Sequence, residues 1–528
     1  MDQPLLHASK RKTSSKFFYP LPFLVVTFAY LLKSDFFHSL LPSTYDDKLS
    51  PFLQQSILDI ENAIKLADYV KNQTNNPKEA AALTFCVELM QNSQEKTKDS
   101  VAALRNQDVH SYANVHTWLS GILTHYHTCK GSLEGTNARS LMEPALSKLI
   151  SQATTSLGII VASLPKRPNL SEIEEFPTWV TSMDKTLLRV GLDEEIKPNL
   201  VVAKDGSGNF KTVQEAVTAA PNDSNSRFVI YIKKGIYQEN VVIDQKKKNL
   251  MIVGDGMDST IITAALYSTI TPKIDTYHSA TFGADAEGFI AQDICFQNTA
   301  GPKVENGQAV ALRVGGDKSI INRCRIEGYQ DTLLTFIGHQ FFRDCTIIGT
   351  IDFIFGDAAV VLQNCTIIAR KPLPGQFNAI TAQGRKDPNQ VSGISIQHCR
   401  IIASNDLEPV KSSVKTYLGR PWMDFSTTVV MQSYIGDHID PAGWAALDGR
   451  SASLSTIYYR EFSNCGPGAN TSKRVGWKGY RVINDTKEAM KFTVAGLLEA
   501  ESGPWLKATG VNYTEGLYGT LQDICHQG

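Results

Sequence analysis

Two aspartates, Asp331 and Asp352, close the same eight-residue frame, Cys-x-Ile-x-Gly-x-x-Asp, read first from Cys324 (CRIEGYQD) and again from Cys345 (CTIIGTID). The Cys-x-Ile step reopens at Cys365 and Cys399, so the four cysteines follow one another at 21, 20 and 34 residues. Short β-rich units at such a period predict a solenoid. Residues holding the same place in consecutive coils then lie one strand spacing apart, roughly 4.7–4.9 Å. Two carboxylates that close cannot both ionise cheaply; one keeps a proton, and the pair supplies an acid and a nucleophile. An Asp at a strand end ordinarily just starts a turn, and Asp406, also seven residues after its cysteine, shows that register alone does not mark a reactive group. Asp352 differs in context, because it interrupts the apolar run Thr350-Ile351-Asp352-Phe353-Ile354-Phe355, where an unpaired carboxylate is expensive to bury.

Neutral donors stand close by in the sequence. Gln330 precedes Asp331, and Gln308 opens the strand-like Gln308-Ala309-Val310-Ala311-Leu312. Side-chain amides donate hydrogen bonds without adding charge, which suits an oxyanion beside a nucleophilic carboxylate. Arg420, in Tyr417-Leu418-Gly419-Arg420-Pro421-Trp422, has the planar fork that holds a carboxylate with two hydrogen bonds. Trp422 offers an apolar face suited to a sugar ring or to simple packing. The histidines are scattered, without HExxH or paired CxxC motifs, so neither a metal nor a cofactor is expected. His125 and His127 fall two apart on a predicted helix and do not share a face.

The elements that must position these groups read in two textures. From about residue 50 to 165 the spacing is helical: Val115, Trp118, Leu119, Ile122 and Tyr126 form one stripe, Leu141, Ala145, Leu149, Ala153 and Leu157 another, and Leu83, Val87 and Met90 a third. These predict an all-α four-helix bundle over 48–164. A Pro- and Glu-rich stretch, 165–197, reads as a linker. From 198 to 528 short runs of Val, Ile, Thr and Phe alternate with Gly and Asn, leaving no room for the helices of a doubly wound fold. Residues 1–40 carry Lys10-Arg11-Lys12 ahead of an apolar stretch from Phe17 to Leu32, the layout of a signal peptide or a signal anchor. The net charge of −1 over 528 residues gives no sign of a nucleic-acid partner. Export makes oxidation of the nine cysteines feasible. Cys345 and Cys365, in equivalent places on adjacent coils, have the Cα separation a disulfide tolerates; we expect that bridge, with a buried ladder of free thiols as the other outcome. Of the Asn-x-Ser/Thr acceptors for glycosylation, Asn364 falls in a repeat expected to be buried.

The chain resembles the plant pectin methylesterases over nearly its whole length. The resemblance rests on Gly235-Ile236-Tyr237-Gln238-Glu239, Gln308 to Leu312, Gln330 to Leu333 (QDTL), Gly349 to Gly356 (GTIDFIFG) and Leu418 to Trp422 (LGRPW). It implies a right-handed parallel β-helix and hydrolysis of the methyl esters of galacturonate units in pectin, releasing methanol. It further implies that Asp352 is the nucleophile, Asp331 the proton donor and later base, Gln308 and Gln330 the oxyanion donors and Arg420 the group that orients Asp352. Thr276, Gln308, Arg420 and Trp422 match substrate-contacting positions, and the family's disulfide falls on Cys345 and Cys365. The helical part resembles the inhibitor domain of the same enzymes through CVELMQNS at Cys86 and VHTWLSGILTHYHTC ending at Cys129, which implies a Cys86–Cys129 bridge; that domain's usual first cysteine pair is missing here. The implied partners are pectin and either the chain's own bundle or separate inhibitor proteins, the implied state is a monomer, and the implied location is the cell wall. A retaining glycosidase is the nearest rival, since carboxylates about 5 Å apart also serve that reaction, but amide donors around the nucleophile favour acyl chemistry.

Overall fold

The computed structural model describes residues 46–164 and 197–525, apart from 107, 270–273, 304–306, 448–453 and 501. The segment read as a signal or anchor, 1–40, and nearly all of the segment read as a linker lie outside the described residues.

Helices α1 (Asp46–Gln73), α2 (Pro77–Ala103), α3 (Val109–Ser132) and α4 (Ala138–Ser163) pack as an antiparallel bundle. Caps start two of them: the Asn76 side chain accepts from the backbone N–H groups of Lys78 and Glu79, with Pro77 at the first helical position, and Asp108 accepts from Ser111, satisfying donors that have no partner inside the helix. A disulfide joins Cys86 of α2 to Cys129 of α3. The buried stripe of α4 runs through Ala138, Met142, Leu146, Leu149, Ala153, Leu157 and Ile160. Leu141, expected on that face, is 55% exposed, since the core line passes one residue further on.

From Leu200 onward the chain winds through three all-parallel sheets of eleven, seven and eight strands, each coil adding a strand to each sheet. This is a right-handed parallel β-helix, the hand that parallel crossovers take. Its interior is filled by in-register stacks, such as Ile326, Ile347, Ile367 and Ile401, all wholly buried. The Cys of each Cys-x-Ile step points to the same interior, two residues before its Ile. Here the expected Cys345–Cys365 bridge is corrected: both are free thiols in a buried ladder with Cys324 and Cys399. Cα separation alone misled. Side chains on neighbouring in-register strands project in parallel, which holds the Cβ atoms near the strand spacing of roughly 4.7–4.9 Å, outside the range of about 3.5–4.5 Å a disulfide needs. Instead the Cys345 and Cys365 thiols donate to the Arg343 and Gln363 carbonyls. The second disulfide, Cys465–Cys525, was not foreseen; it ties the C-terminal turn to a late coil. Asn364 is also corrected: it is exposed, on a turn with φ of 56°, and donates to Asp344.

Candidate active site

The seven-stranded sheet carries the chemistry-bearing residues. Its strands Leu333–Thr335 and Ile351–Gly356 pair in parallel with Leu333 opposite Ile354, so the frame that ends in Asp331 lies against the frame that ends in Asp352. The Asp331 N–H donates to the Ile351 carbonyl, and both aspartates bend through the left-handed region, with φ of 62° and 52°. Register also slips between Ile351 and Ile354 against the next strand, Asn378–Gln383. Such a bulge re-aims a side chain: Phe353 and Ile354 both stay in the core, while the Asp352 carboxylate turns out to meet Arg420.

That meeting is bidentate, Nε to Oδ1 at 2.7 Å and Nη2 to Oδ2 at 2.6 Å. Arg420 is brought there by the strand Thr416–Gly419 and by its N–H bond to the Thr381 carbonyl. Gly419 is required: a Cβ on it would collide with the hydroxyl and carbonyl of Thr381. Gln308 and Gln330, on successive coils, form a parallel bridge. The Thr276 hydroxyl donates to Gln308 Oε1 at 2.9 Å, which leaves the Gln308 amide nitrogen free to donate.

The two carboxyls differ electrically. Burial pushes Asp331 well above the usual carboxylate range, and the charge of Asp352 pushes it further, while Arg420 opposes. Burial raises Asp352 too, but the two Arg420 hydrogen bonds and its charge pull it back. Of the two, Asp331, the partner without the guanidinium, is held the higher.

The structure thus brings together Asp352, Arg420, Asp331, Gln308, Gln330 and Thr276. Trp422 sits further along, its N–H bonded to the Gln383 carbonyl, in a cavity of about 500 Å³ shared with Thr276, Tyr277, Phe336 and Phe355. Helix α3 packs over this face. Gly121 rests on Ile337, the Thr124 hydroxyl donates to Asp357 at 2.6 Å, and Gln390 donates to the Ser120 carbonyl and to Asp357. Phe85 of α2 packs against Tyr277, ring centroids 4.9 Å apart. Sequence reading missed Asp357, Lys386 and Gln390; the polar run Arg385-Lys386-Asp387-Pro388-Asn389-Gln390 was the available signal, but it reads as an ordinary turn.

Residues 199–501 match the family described as Pectinesterase, and a "Pectinesterase/pectinesterase inhibitor 18" of Arabidopsis thaliana is 52% identical over 89% of this chain and 85% of its own length. The chain belongs to the pectinesterase family. As a pectinesterase it is a carboxylic ester hydrolase. Residues 43–159 match the family described as Plant invertase/pectin methylesterase inhibitor, which covers the bundle. "Pectinesterase 2.2" of Solanum lycopersicum is 50% identical over 92% of this chain and 88% of its own. Among solved structures, "Pectin methylesterase from Carrot" is 54% identical with a TM-score of 0.58, covering 61% of this chain and 99% of that one. That share is about the length of the solenoid. The solenoid here has a hydrophobic core made wholly of its own residues, from Val202 to Tyr459.

Proposed function

We propose that this enzyme hydrolyses the methyl esters of galacturonate units in cell-wall pectin by an acyl-enzyme route, and that its own bundle, docked on the solenoid, holds it in check. The observation that carries the reading is the bidentate grip of Arg420 on Asp352, beside the buried Asp331 and the Gln308–Gln330 pair; in this reading Asp352 reacts as the carboxylate and Asp331, held the higher of the two, carries the proton. An Asp352 oxygen attacks the ester carbonyl carbon; each carboxylate oxygen keeps a lone pair beyond the one used by Arg420. Gln308 and Gln330 donate to the oxyanion. As the C–O bond to the methoxy group breaks, Asp331 gives it a proton and methanol leaves. Asp331, now a carboxylate, takes a proton from water, whose oxygen attacks the acyl carbon and frees the galacturonate and Asp352. Trp422 and Thr276 contact sugar units of the chain. The signal-like segment at 1–40 fits export to the wall where pectin lies, and residues 198–528 would form the catalytic unit.

Methanol release from highly methylated pectin by residues 198–528, beside the same protein carrying Asp352→Asn, tests this. Methanol without new reducing ends, lost in the variant, is expected. New reducing ends would mean a glycosidase, and binding without methanol would mean a scaffold.

A further inference from the structure

The bundle roofs the groove without filling it. Helix α3 presses on the solenoid at Gly121, whose added Cβ would stand 3.2 Å from Ile337, but at Gly131, nearly three turns on, an added Cβ would meet nothing within 4 Å. The space left there is the cavity of about 500 Å³, inside the range of roughly 300–1,000 Å³ in which small ligands are held. Its floor is the aromatic surface of Phe336, Phe355 and Trp422, with two carboxylates already partnered on the solenoid side, Asp357 by Lys386 at 3.1 Å and Asp275 by His278 at 3.0 Å; Asp331 and Asp352 are not among its lining residues. The space therefore belongs to sugar units beside the reacting one.

The roof is chemically distinct from the floor. It brings three cationic side chains to the rim, Lys78, Lys130 and Arg139. Lys130 and Arg139 share one carboxylate, Glu143, at 2.6 and 3.0 Å. No ion pair places Lys78 with an acidic group among the described residues, although Glu134 stands on the same rim. His127 faces in from α3 but is uncharged at neutral pH, since burial and the nearby Lys386 push it down to about 4.

We propose that the closed chain, with bundle and solenoid engaged, carries in this chamber a binding site for a short de-esterified galacturonide, whose rings lie on Trp422 and Phe355 and whose carboxylates face the cations of the bundle. The ligand class rests on the pectin reading above. A long methylated chain competes with the bundle for the groove, whereas a short acidic fragment binds both domains at once and favours the closed form, because a ligand that contacts both shifts the equilibrium toward their union. Such fragments are the joint product of this reaction and a chain-cleaving one.

Calorimetric titration with unmethylated trigalacturonate tests this on the full chain, on residues 198–528, and on the full chain carrying Gly131→Phe, whose side chain would occupy the empty space. Maltotriose is the uncharged control. The full chain is expected to bind trigalacturonate about fivefold or more tightly than the solenoid, one partly exposed charge contact being worth about 1 kcal/mol. Gly131→Phe should abolish the gain, and Lys78→Gln, on the rim and away from the packed core, should weaken it several-fold while leaving maltotriose binding unchanged. Equal or tighter binding by the solenoid alone overturns the proposal, as does full-strength binding by both variants. Methanol release by the solenoid is a separate readout, so failure of the chamber and failure of the esterase reading are told apart.

Discussion

At the scale of single residues the site runs on an imposed inequality between two carboxyls. Asp331 is 5% exposed and its pKa is raised by burial and by Asp352. Where a folded pKa lies above the unfolded value, the folded state retains a proton that the unfolded chain has lost, so stability falls as pH rises past the unfolded pKa of about 3.9. Asp331→Asn escapes that cost. The variant should melt at the same temperature as the native solenoid near pH 3 and several degrees higher at pH 7, as followed by calorimetry. Its methanol release should fall by about 10²–10⁴, the usual worth of a positioned general acid. A variant that lost activity with no pH-dependent gain in stability would show that Asp331 is ionised in the native state.

At the scale of elements the decisive features are small departures from regular winding. The bulge at Ile351/Ile354 turns Asp352 out of an otherwise buried strand, and Gly419 lets its strand close on Thr381 so that Arg420 reaches across. Gly419→Ala forces that contact apart. Overpacking of this kind costs about 1–3 kcal/mol, and a displacement of the orienting arginine by an ångström costs on the order of 10²-fold in rate. The expected result is a lower melting temperature together with a fall in kcat at nearly unchanged KM, measured on residues 198–528. A stable variant with native kcat would mean that the approach at Thr381 does not set the position of Arg420.

For the whole molecule the governing question is how the bundle sits on the solenoid. The polar anchor is Asp357, 4% exposed, which takes hydrogen bonds from Thr124 of α3 and from Lys386, Gln390 and Ser392 of the solenoid. Apolar contact surrounds it, with Phe85, Leu119 and Ile122 joining Tyr277, Phe336 and Phe355 in one cluster. Thr124→Glu sets a second carboxylate against Asp357, and an uncompensated buried charge costs about 3–5 kcal/mol. The full chain should then release methanol roughly 10-fold faster or more, while residues 198–528 stay at their own rate. If native and variant full chains proved equally slow, docking at this surface would not be what limits the enzyme.

The repeat frame, the apolar run around Asp352 and the punctuation by Gly and Asn were enough to place a solenoid after a helical bundle and to stack Asp331 on Asp352, because in-register parallel strands turn sequence spacing directly into distance. Gln308 and Gln330 were singled out as amide donors by residue type and by the family resemblance, and their bridge on successive coils came only with the structure. Sequence spacing failed where geometry depends on side-chain direction or on contacts between distant segments. The cysteine ladder has disulfide-like spacing but parallel Cβ vectors, so Cys345 and Cys365 stay reduced. The pairing of Cys465 with Cys525, 60 residues apart, the bulge that aims Asp352 at Arg420, and the grip of Ser120 and Thr124 on Asp357 and Gln390 arise only when separate coils and helices meet. Sequence by itself determined the repeating elements and the residue types, since local period and burial set those; tertiary structure decided which carboxyl the guanidinium grips and what lies over the groove, since charge proximity and domain docking join residues tens to hundreds of positions apart.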